Sequence, residues 1–253
     1  MSFAVAADAY DRFMGRYSRP LAPHLADLAG IEPGWHALDV GCGAGALTTE
    51  LVRRLGSASV AAVDPSPSFV AAVGERFPAV DVRQAQAEHL PFTPGTFDAA
   101  LAQLVVHFMA DPVAGLGEMA RVTRRGGVVA ACVWDHAGGG SPLSAFWEAV
   151  RRFDPTIEDE ADRAGAREGH LGELFSKAGL AGLEETVLSV TVDHPTFEEW
   201  WEPFELGVGP SGAYTAGLDE TRRIALRELC RETLPPAPFS VTGRAWAVRG
   251  AVP

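Results

Sequence analysis

Lysine is nearly absent from this chain: of its 21 basic residues, Lys177 is the single lysine and the others are arginines. No basic run exceeds a pair such as Arg124-Arg125 or Arg151-Arg152, and the formal net charge is −12. A nucleic-acid binder needs a basic face, so RNA or DNA is not expected as a partner. Cysteine is scarce and odd in number, at Cys42, Cys132 and Cys230, with no Cys-x-x-Cys pair. That excludes a disulfide framework. Long apolar runs are missing too. The longest, Val128 to Trp134, is far too short to cross a bilayer, and no basic N-terminal region precedes an apolar leader. No membrane association is expected, and a soluble cytoplasmic protein is. None of the seven histidines stands in a His-x-x-x-His or Cys/His spacing, so the spacing predicts no metal site. Internal repeats and low-complexity segments are also lacking.

What is present is a chain of 253 residues, 47% hydrophobic, enough for one large domain with a substantial core. Few lysines beside many arginines, alanines and glycines suggest a high-GC bacterial coding sequence.

The centre of the sequence is Ala37 to Leu47. Leu38 and Val40 read as a short buried strand, followed by Gly41, Gly43 and Gly45 at every second position. Leu47, Leu51 and Leu55 then recur at helical spacing. Strand, glycine turn and helix start make a place where a ligand can approach bare backbone and free N–H groups. The spacing is not Gly-x-Gly-x-x-Gly, because the third glycine comes one residue early. Asp39 also stands two residues before the first glycine.

Residues 8–29 read as two short helices with a bend before Pro20. A second strand, 59–63, ends at Asp64-Pro65, followed by a helix over 68–76 and a short strand at 80–84. Phe97 opens a buried fourth strand that runs toward His107-Phe108. A helix over 112–122, a turn at 124–127 and a fifth strand over 128–134 come next. Gly138 to Gly140 break the chain. Helices follow at 143–153 and 171–178, with an acidic, solvated stretch at 158–162 between them. Residues 183–192 alternate as an edge strand and 239–248 as a last strand. The helical stretch between these two is too long for a hairpin loop and reads as an inserted cap.

Asp39-x-Gly41-x-Gly43-x-Gly45 resembles the first motif of class I S-adenosylmethionine-dependent methyltransferases. Ala87-Glu88-His89-Leu90-Pro91-Phe92, Phe97-Asp98 with His107-Phe108, and the segment Leu116 to Gly127 resemble later motifs of that family in the same order. The N-terminal segment Tyr10 to Leu21 resembles its cofactor-capping region. The likeness covers roughly residues 8–135, and more loosely the last two strands.

The resemblance implies an α/β fold: a doubly wound, seven-stranded, mostly parallel sheet with an antiparallel C-terminal strand and a helical cap. It implies a chain divided into an N-terminal cofactor cap (1–36), a binding core (37–136), a substrate cap (137–170 and 195–238) and the rest of the sheet (171–194 and 239–253). The expected cofactor is S-adenosylmethionine, leaving as S-adenosylhomocysteine. The residues expected to hold it are Tyr10, Arg16, Asp39, Gly41, Cys42, Gly43, Asp64, Pro65, Phe69, Ala87, Glu88 and Gln103. Among these, Asp64 is expected to accept the ribose hydroxyls, with a helix cap as its other reading. Arg16, rivalled by Arg12 and Arg19, is the candidate partner for the cofactor carboxylate. Ala87 and Glu88 are expected at the adenine.

His107, at the carboxyl end of the fourth strand, is the candidate base, with Asp135-His136 as a second candidate. The acceptor is expected to be a small molecule, hydrophobic or aromatic if the cap residues Phe146, Trp147, Trp200, Trp201 and Phe204 reach the site. Those aromatics also fit a plain core role. A non-catalytic cofactor-binding sensor on the same fold is the alternative, as a monomer or a homodimer.

Overall fold

A computed structural model describes residues 7–253. Residues 1–6, the start of the expected N-terminal cap, lie outside the described part. A seven-stranded sheet has the order β3-β2-β1-β4-β5-β7-β6. Its strands are β1 (Ala37–Val40), β2 (Val60–Asp64), β3 (Asp81–Gln84), β4 (Phe97–Gln103), β5 (Thr123–Trp134), β6 (Ala181–His194) and β7 (Phe239–Ala251). The pairs β1–β2, β1–β4, β2–β3 and β4–β5 are parallel. β7 runs antiparallel to both β5 and β6, so the last strand slots between two earlier ones.

The helices are α1 (Ala7–Tyr10), α2 (Arg16–Leu28), α3 (Ala46–Leu55), α4 (Pro67–Arg76), α5 (Pro112–Val122), α6 (Ser144–Phe153), α7 (His170–Lys177), α8 (Phe197–Trp201), α9 (Gly209–Ala216) and α10 (Glu220–Thr233). Alternation along the strands sends their side chains into two cores. Ala37, Ala99, Leu101, Ala130 and Cys132 face α2, α3, α6 and the cap. Leu38, Val40, Ala100, Ala102, Val129 and Ala131 face α5 and α7. Burial on both faces explains why the central parallel strands β1, β2 and β4 read as apolar runs rather than as alternating patterns, whereas the edge strand β3 is mostly exposed. Small alanine side chains in the central strands let both helix layers approach closely.

Three expectations about the elements change. The bend before Pro20 is not present: α2 runs from Arg16 to Leu28 with Pro20 and Pro23 inside it. The irregularity falls earlier, as a π-turn over Asp11–Gly15. Each proline removes one backbone donor, but Leu21, Ala22 and Leu25 are fully buried on the helix's inner face, and that packing outweighs the loss. β5 begins at Thr123 rather than Val128. Phe97 pairs with Thr123 and Ala99 with Val128, so the expected turn at 124–127 is a bulge within the strand. Glu160, placed by the sequence in a solvated acidic stretch, is only 2% exposed.

His194 pairs with Phe239 at the end of the β6–β7 ladder, and residues 195–238 hold α8, α9 and α10. The cap aromatics form core: Trp200 and Trp201 are buried, and Phe204 stacks on Phe146 of α6 with centroids 4.5 Å apart and planes 3° from parallel. No helix among the described residues is long and apolar enough to cross a membrane.

Candidate functional site

The carboxyl ends of β1, β2 and β4 meet where the strand order reverses, the usual ligand crevice of an open α/β sheet. The backbone after β1 is bent by glycine. Gly41 has φ +73°, and a Cβ built on it would lie 2.5 Å from a Val105 methyl carbon. Gly45, at φ +84°, is the N-cap of α3. The turn is anchored to β2: the N–H groups of Gly41 and Cys42 both donate to the Val63 carbonyl, at 2.8 and 2.9 Å. Gly43 N–H donates to Asp64 Oδ2 at 2.9 Å, and Ser66 N–H to Asp64 Oδ1 at 2.8 Å. Asp64 therefore shapes the turn, and each of its oxygens keeps lone-pair capacity for a ligand.

This turn floors a cavity of about 730 Å³, counting its open mouth. Asp39, Gly41, Cys42, Gly43, Asp64 and Pro65 line it from below. Tyr10, Phe69 and Gln103 line it from the sides, with Tyr10 set edge-on to Phe69 at 5.4 Å. Nine of the twelve expected cofactor residues thus share one cavity. Ala87 and Glu88 line an adjoining cavity that shares Gly41, Pro65, Val105 and Phe108 with the first. The Glu88 side chain is directed to the chain before α5, where Oε1 accepts from the N–H groups of Ala110 and Asp111 at 2.7 and 3.1 Å.

Arg16 is placed elsewhere. Its guanidinium donates to the Arg12 carbonyl at 2.9 and 3.1 Å and to the Glu199 carbonyl at 2.9 Å, and it lies 3.5 Å from His194 Nδ1. Arg16 ties α2 to the cap and does not line the glycine-turn cavity. The rival Arg19 pairs with Asp11.

Electrostatics single out the first cavity. Its lining carries Asp11, Asp39 and Asp64 and no arginine, lysine or histidine. Asp39 is 1% exposed. Burial pushes its carboxyl up to about 7, against the hydrogen bond from Thr48 Oγ1 (2.6 Å to Oδ2). Burial also raises Asp64, while the Ser66 and Gly43 N–H groups oppose the rise. Three buried acceptor atoms on this lining have no partner in the protein: Ser18 Oγ, Asp39 Oδ1 and Gln103 Oε1. Gln103 is oriented by its Nε2, which donates to the Ser18 carbonyl at 2.8 Å. Orphaned buried acceptors are costly. Three on one cavity wall, with carboxylates and no cation, match a cationic group bearing N–H donors.

Leu104 follows Gln103 with φ +61°, the single non-glycine residue at positive φ among the described residues. A branched residue in this conformation is strained, and such strain gathers at functional sites. Leu104 lines both the first cavity and a third, narrow one of about 410 Å³ counting its open mouth. Tyr10 and Phe108 are also shared between the two. The third cavity is apolar for the most part, walled by Phe13, Met14, Trp134, Leu143 and, from the cap, Val208 to Ser211.

His107 opens into this third cavity and not into the first. It sits on a 3₁₀ turn (Val106–Phe108) after β4 and is buried. Burial, then His136, then Arg163 hold its imidazole well below the usual range, so it is neutral. His136 lines the same cavity, with burial holding it down at about 4. Its neighbour Asp135 instead fixes the loop, its Oδ1 accepting from Gly138 N–H (2.8 Å) and Trp246 Nε1 (3.1 Å). Glu160 completes the polar part of the wall. Histidines that lack any ligand spacing along the chain are thus brought beside a buried carboxylate by three separate loops.

Ser18, Leu104 and Glu160 were not singled out from the sequence. A serine on a helix, a leucine after a strand and a glutamate in an acidic run carry no local mark, and only the fold gives them one.

The methyltransferase domain family matches residues 38–131. An uncharacterized protein of Mycobacterium tuberculosis is 30% identical over 228 residues, 85% of this chain and 81% of the relative. Among solved structures, a provisionally assigned methyltransferase of Bacillus halodurans superposes with a TM-score of 0.61 at 16% identity, covering 92% of this chain and 98% of that one. The geranyl diphosphate C-methyltransferase of Streptomyces coelicolor, solved with Mg²⁺, geranyl diphosphate and S-adenosylhomocysteine, has a TM-score of 0.56 at 17% identity, covering 94% and 80%. At these identities the two structures speak to the fold.

Proposed function

Because this chain belongs to the class I S-adenosylmethionine-dependent methyltransferase family, we propose that it binds S-adenosylmethionine over the glycine turn and methylates a small-molecule acceptor seated in the adjoining apolar cavity. The observation that carries the reading is the set of three unpartnered acceptors, Ser18 Oγ, Asp39 Oδ1 and Gln103 Oε1, on a cavity wall without a cationic side chain. An ammonium group supplies the donors they lack. The same wall disfavours a pyrophosphate cofactor, whose charges would face Asp39 and Asp64.

In this reading Ser18, Asp39 and Gln103 receive the amino group. Asp64 receives the ribose hydroxyls while it holds Gly43 in place. Phe69 and Pro65 offer apolar surface to the base, with Ala87 and the backbone at Glu88 beyond them. When bound, the cofactor supplies an activated methyl group on a sulfonium, so the protein's task is mainly alignment and water exclusion. Tyr10, Leu104 and Phe108 stand between the two cavities and shape the passage from one to the other. His107 faces the acceptor side and is the candidate to receive a proton from a hydroxyl acceptor, with a basicity that burial, His136 and Arg163 lower. The apolar walls of the third cavity favour a hydrophobic acceptor.

The test is calorimetry with S-adenosylhomocysteine on wild type and Asp39→Asn, with NAD as comparator. Micromolar-range heat for wild type, loss of roughly tenfold or more in the variant and none with NAD support the reading. No heat with S-adenosylhomocysteine at well above that concentration would overturn it. Tight binding with no transfer to any of a broad acceptor panel would favour the cofactor-binding sensor.

A further inference from the structure

We propose that His107, His136 and Glu160 form a site for one divalent transition-metal ion, zinc or a first-row neighbour, in the wall of the third cavity. The three sit on unrelated loops: the turn after β4, the residue pair after β5 and the connection between α6 and α7. Each offers one donor atom, and the three atoms lie within 4.8 Å of one another. No other group of three histidine, cysteine or acidic residues among the described ones meets this geometry.

The state of the donors sets this cluster apart from ordinary buried polarity. His107 Nδ1 and both ring nitrogens of His136 are buried with no hydrogen-bond partner. A buried imidazole nitrogen normally finds a donor or acceptor, and here three in one place do not. Glu160 is 2% exposed, and Trp147 Nε1 donates to its Oε2 at 3.1 Å. The tryptophan fixes the carboxylate's orientation and leaves Oε1 for another partner, the kind of outer support that metal ligands receive. An imidazole binds a metal through an unprotonated ring nitrogen, and the unpartnered nitrogens here are free for that role. Glu160 would bind as its carboxylate and offset part of the ion's charge.

The geometry is close to closed. Donors around a four-coordinate zinc at 2.0–2.1 Å lie roughly 3.3 Å apart. The observed separations therefore ask each side chain to move by less than about 1 Å, within ordinary side-chain adjustment. Two imidazoles and one carboxylate are a borderline donor set. They suit zinc, cobalt, nickel or ferrous iron, and not magnesium or calcium, which want oxygen. Three protein ligands leave at least one position open, and all three line the cavity assigned to the acceptor. A bound metal makes His107 a ligand and takes it out of service as a free base, so the two roles exclude each other in one state.

Purified, untagged protein is stripped with chelator and titrated with Co²⁺ and Zn²⁺. One equivalent of Co²⁺ is expected to give visible d–d bands of a four- or five-coordinate site, displaced by Zn²⁺ and unaffected by Mg²⁺. Zinc affinity is expected to fall at least tenfold in Glu160→Gln and in His136→Ala, scaled from the loss seen on disturbing metal ligation. S-adenosylhomocysteine affinity, read by calorimetry, is expected to stay within about twofold, since neither residue lines the first cavity. Absence of saturable Co²⁺ bands in the wild type overturns the metal site, as does zinc binding that survives unchanged in a folded variant. Failure of the cofactor reading shows separately, as loss of S-adenosylhomocysteine heat in the wild type.

Discussion

The amide of Gly43 and the carboxylate of Asp64 meet at 2.9 Å across the carboxyl ends of β1 and β2. The glycine turn and the acidic residue, 21 positions apart in the chain, are therefore one structural unit. Substituting Asp64 does two things at once. Asp64→Ala leaves the Gly43 and Ser66 amides without an acceptor, at roughly 1–3 kcal/mol for each that stays buried. It also deletes the expected ribose partner. Asp64→Asn keeps one acceptor oxygen and is the cleaner probe. We expect Asp64→Asn, which keeps one of the two amide acceptors, to lose less melting temperature than Asp64→Ala and to weaken S-adenosylhomocysteine binding by about 1.5–3 kcal/mol. Calorimetry and thermal melts on the pair separate the two effects. Equal cofactor affinity in wild type and Asp64→Asn would leave Asp64 as a turn-builder only.

The turn after β1 tests the fold's tolerance. A methyl at Gly41 meets Val105 at 2.5 Å and needs a left-handed backbone as well. Gly41→Ala is expected to cost about 1–3 kcal/mol of stability through strain and overpacking and to weaken cofactor binding, because Val105 lines the same cavity. Adding Val105→Ala should restore part of the stability. A lack of any rescue in the double variant would place the cost in the backbone alone.

Asp39 gives a pH dependence with a definite sign. Its carboxyl has the ordinary value 3.8 when exposed and about 7 in the fold, chiefly through burial. Raised in the folded state, it costs the free protein stability progressively as pH climbs from 3.8 to about 7. A cationic ligand favours the ionised form, so binding releases a proton below about pH 7. The groups facing Asp39 are the Thr48 hydroxyl on α3, Asp64 on β2 and the Cys42 thiol, which burial keeps neutral. Affinity for S-adenosylhomocysteine is expected to rise up to about tenfold per pH unit below about pH 7 and to level off above it. Calorimetry in buffers of different ionisation enthalpy reads the released proton. Asp39→Asn should flatten the profile, and a flat wild-type profile would remove Asp39 from the amino-group site.

The glycine-turn cavity was legible because its residues are local in the chain. Asp39, Gly41 and Gly43 lie in one turn, and Asp64 and Pro65 end the next strand, so chain order displays the cavity floor. The third cavity was not. Its walls come from α2, the turn after β4, the loop after β5, the α6–α7 connection and the cap, and no spacing along the chain relates His107, His136 and Glu160. Arg16 was misplaced for a related reason. Helical periodicity gives the face of a helix but not what that face meets, and the cap inserted at 195–238 supplied the Glu199 carbonyl. Pro20 and Pro23 show local preference yielding to packing, because the burial of Leu21 and Leu25 keeps α2 whole.

The cap aromatics belong to the core. Trp201 is 1% exposed and stacks with Phe197, 11° from parallel. Trp201→Ala is expected to destabilise by about 3–5 kcal/mol, seen as a large fall in melting temperature. The variant's folded fraction should still bind S-adenosylhomocysteine with near wild-type affinity. A folded Trp201→Ala that binds cofactor poorly would place this tryptophan in the site.

Ser18 makes the opposite prediction, and the sign is the test. Its hydroxyl is buried in α2 without a partner. Removing an orphaned polar group returns its desolvation penalty, and alanine is the better helix former by a few tenths of a kcal/mol. A purely structural Ser18 should therefore be replaced at a net gain: Ser18→Ala is expected to be about 0.5–1.5 kcal/mol more stable than wild type. In the proposed reading the serine has a use that offsets this cost: Oγ, with Asp39 Oδ1 and Gln103 Oε1, would complete the acceptor set for the ammonium group. Ser18→Ala should thus bind S-adenosylhomocysteine several-fold more weakly while melting at higher temperature, the trade expected where a site is kept at the expense of stability. Chemical denaturation and calorimetry on this one variant read both effects. A gain in stability with unchanged affinity would remove Ser18 from the acceptor set. A loss of stability would mean that the hydroxyl has a partner in the folded protein.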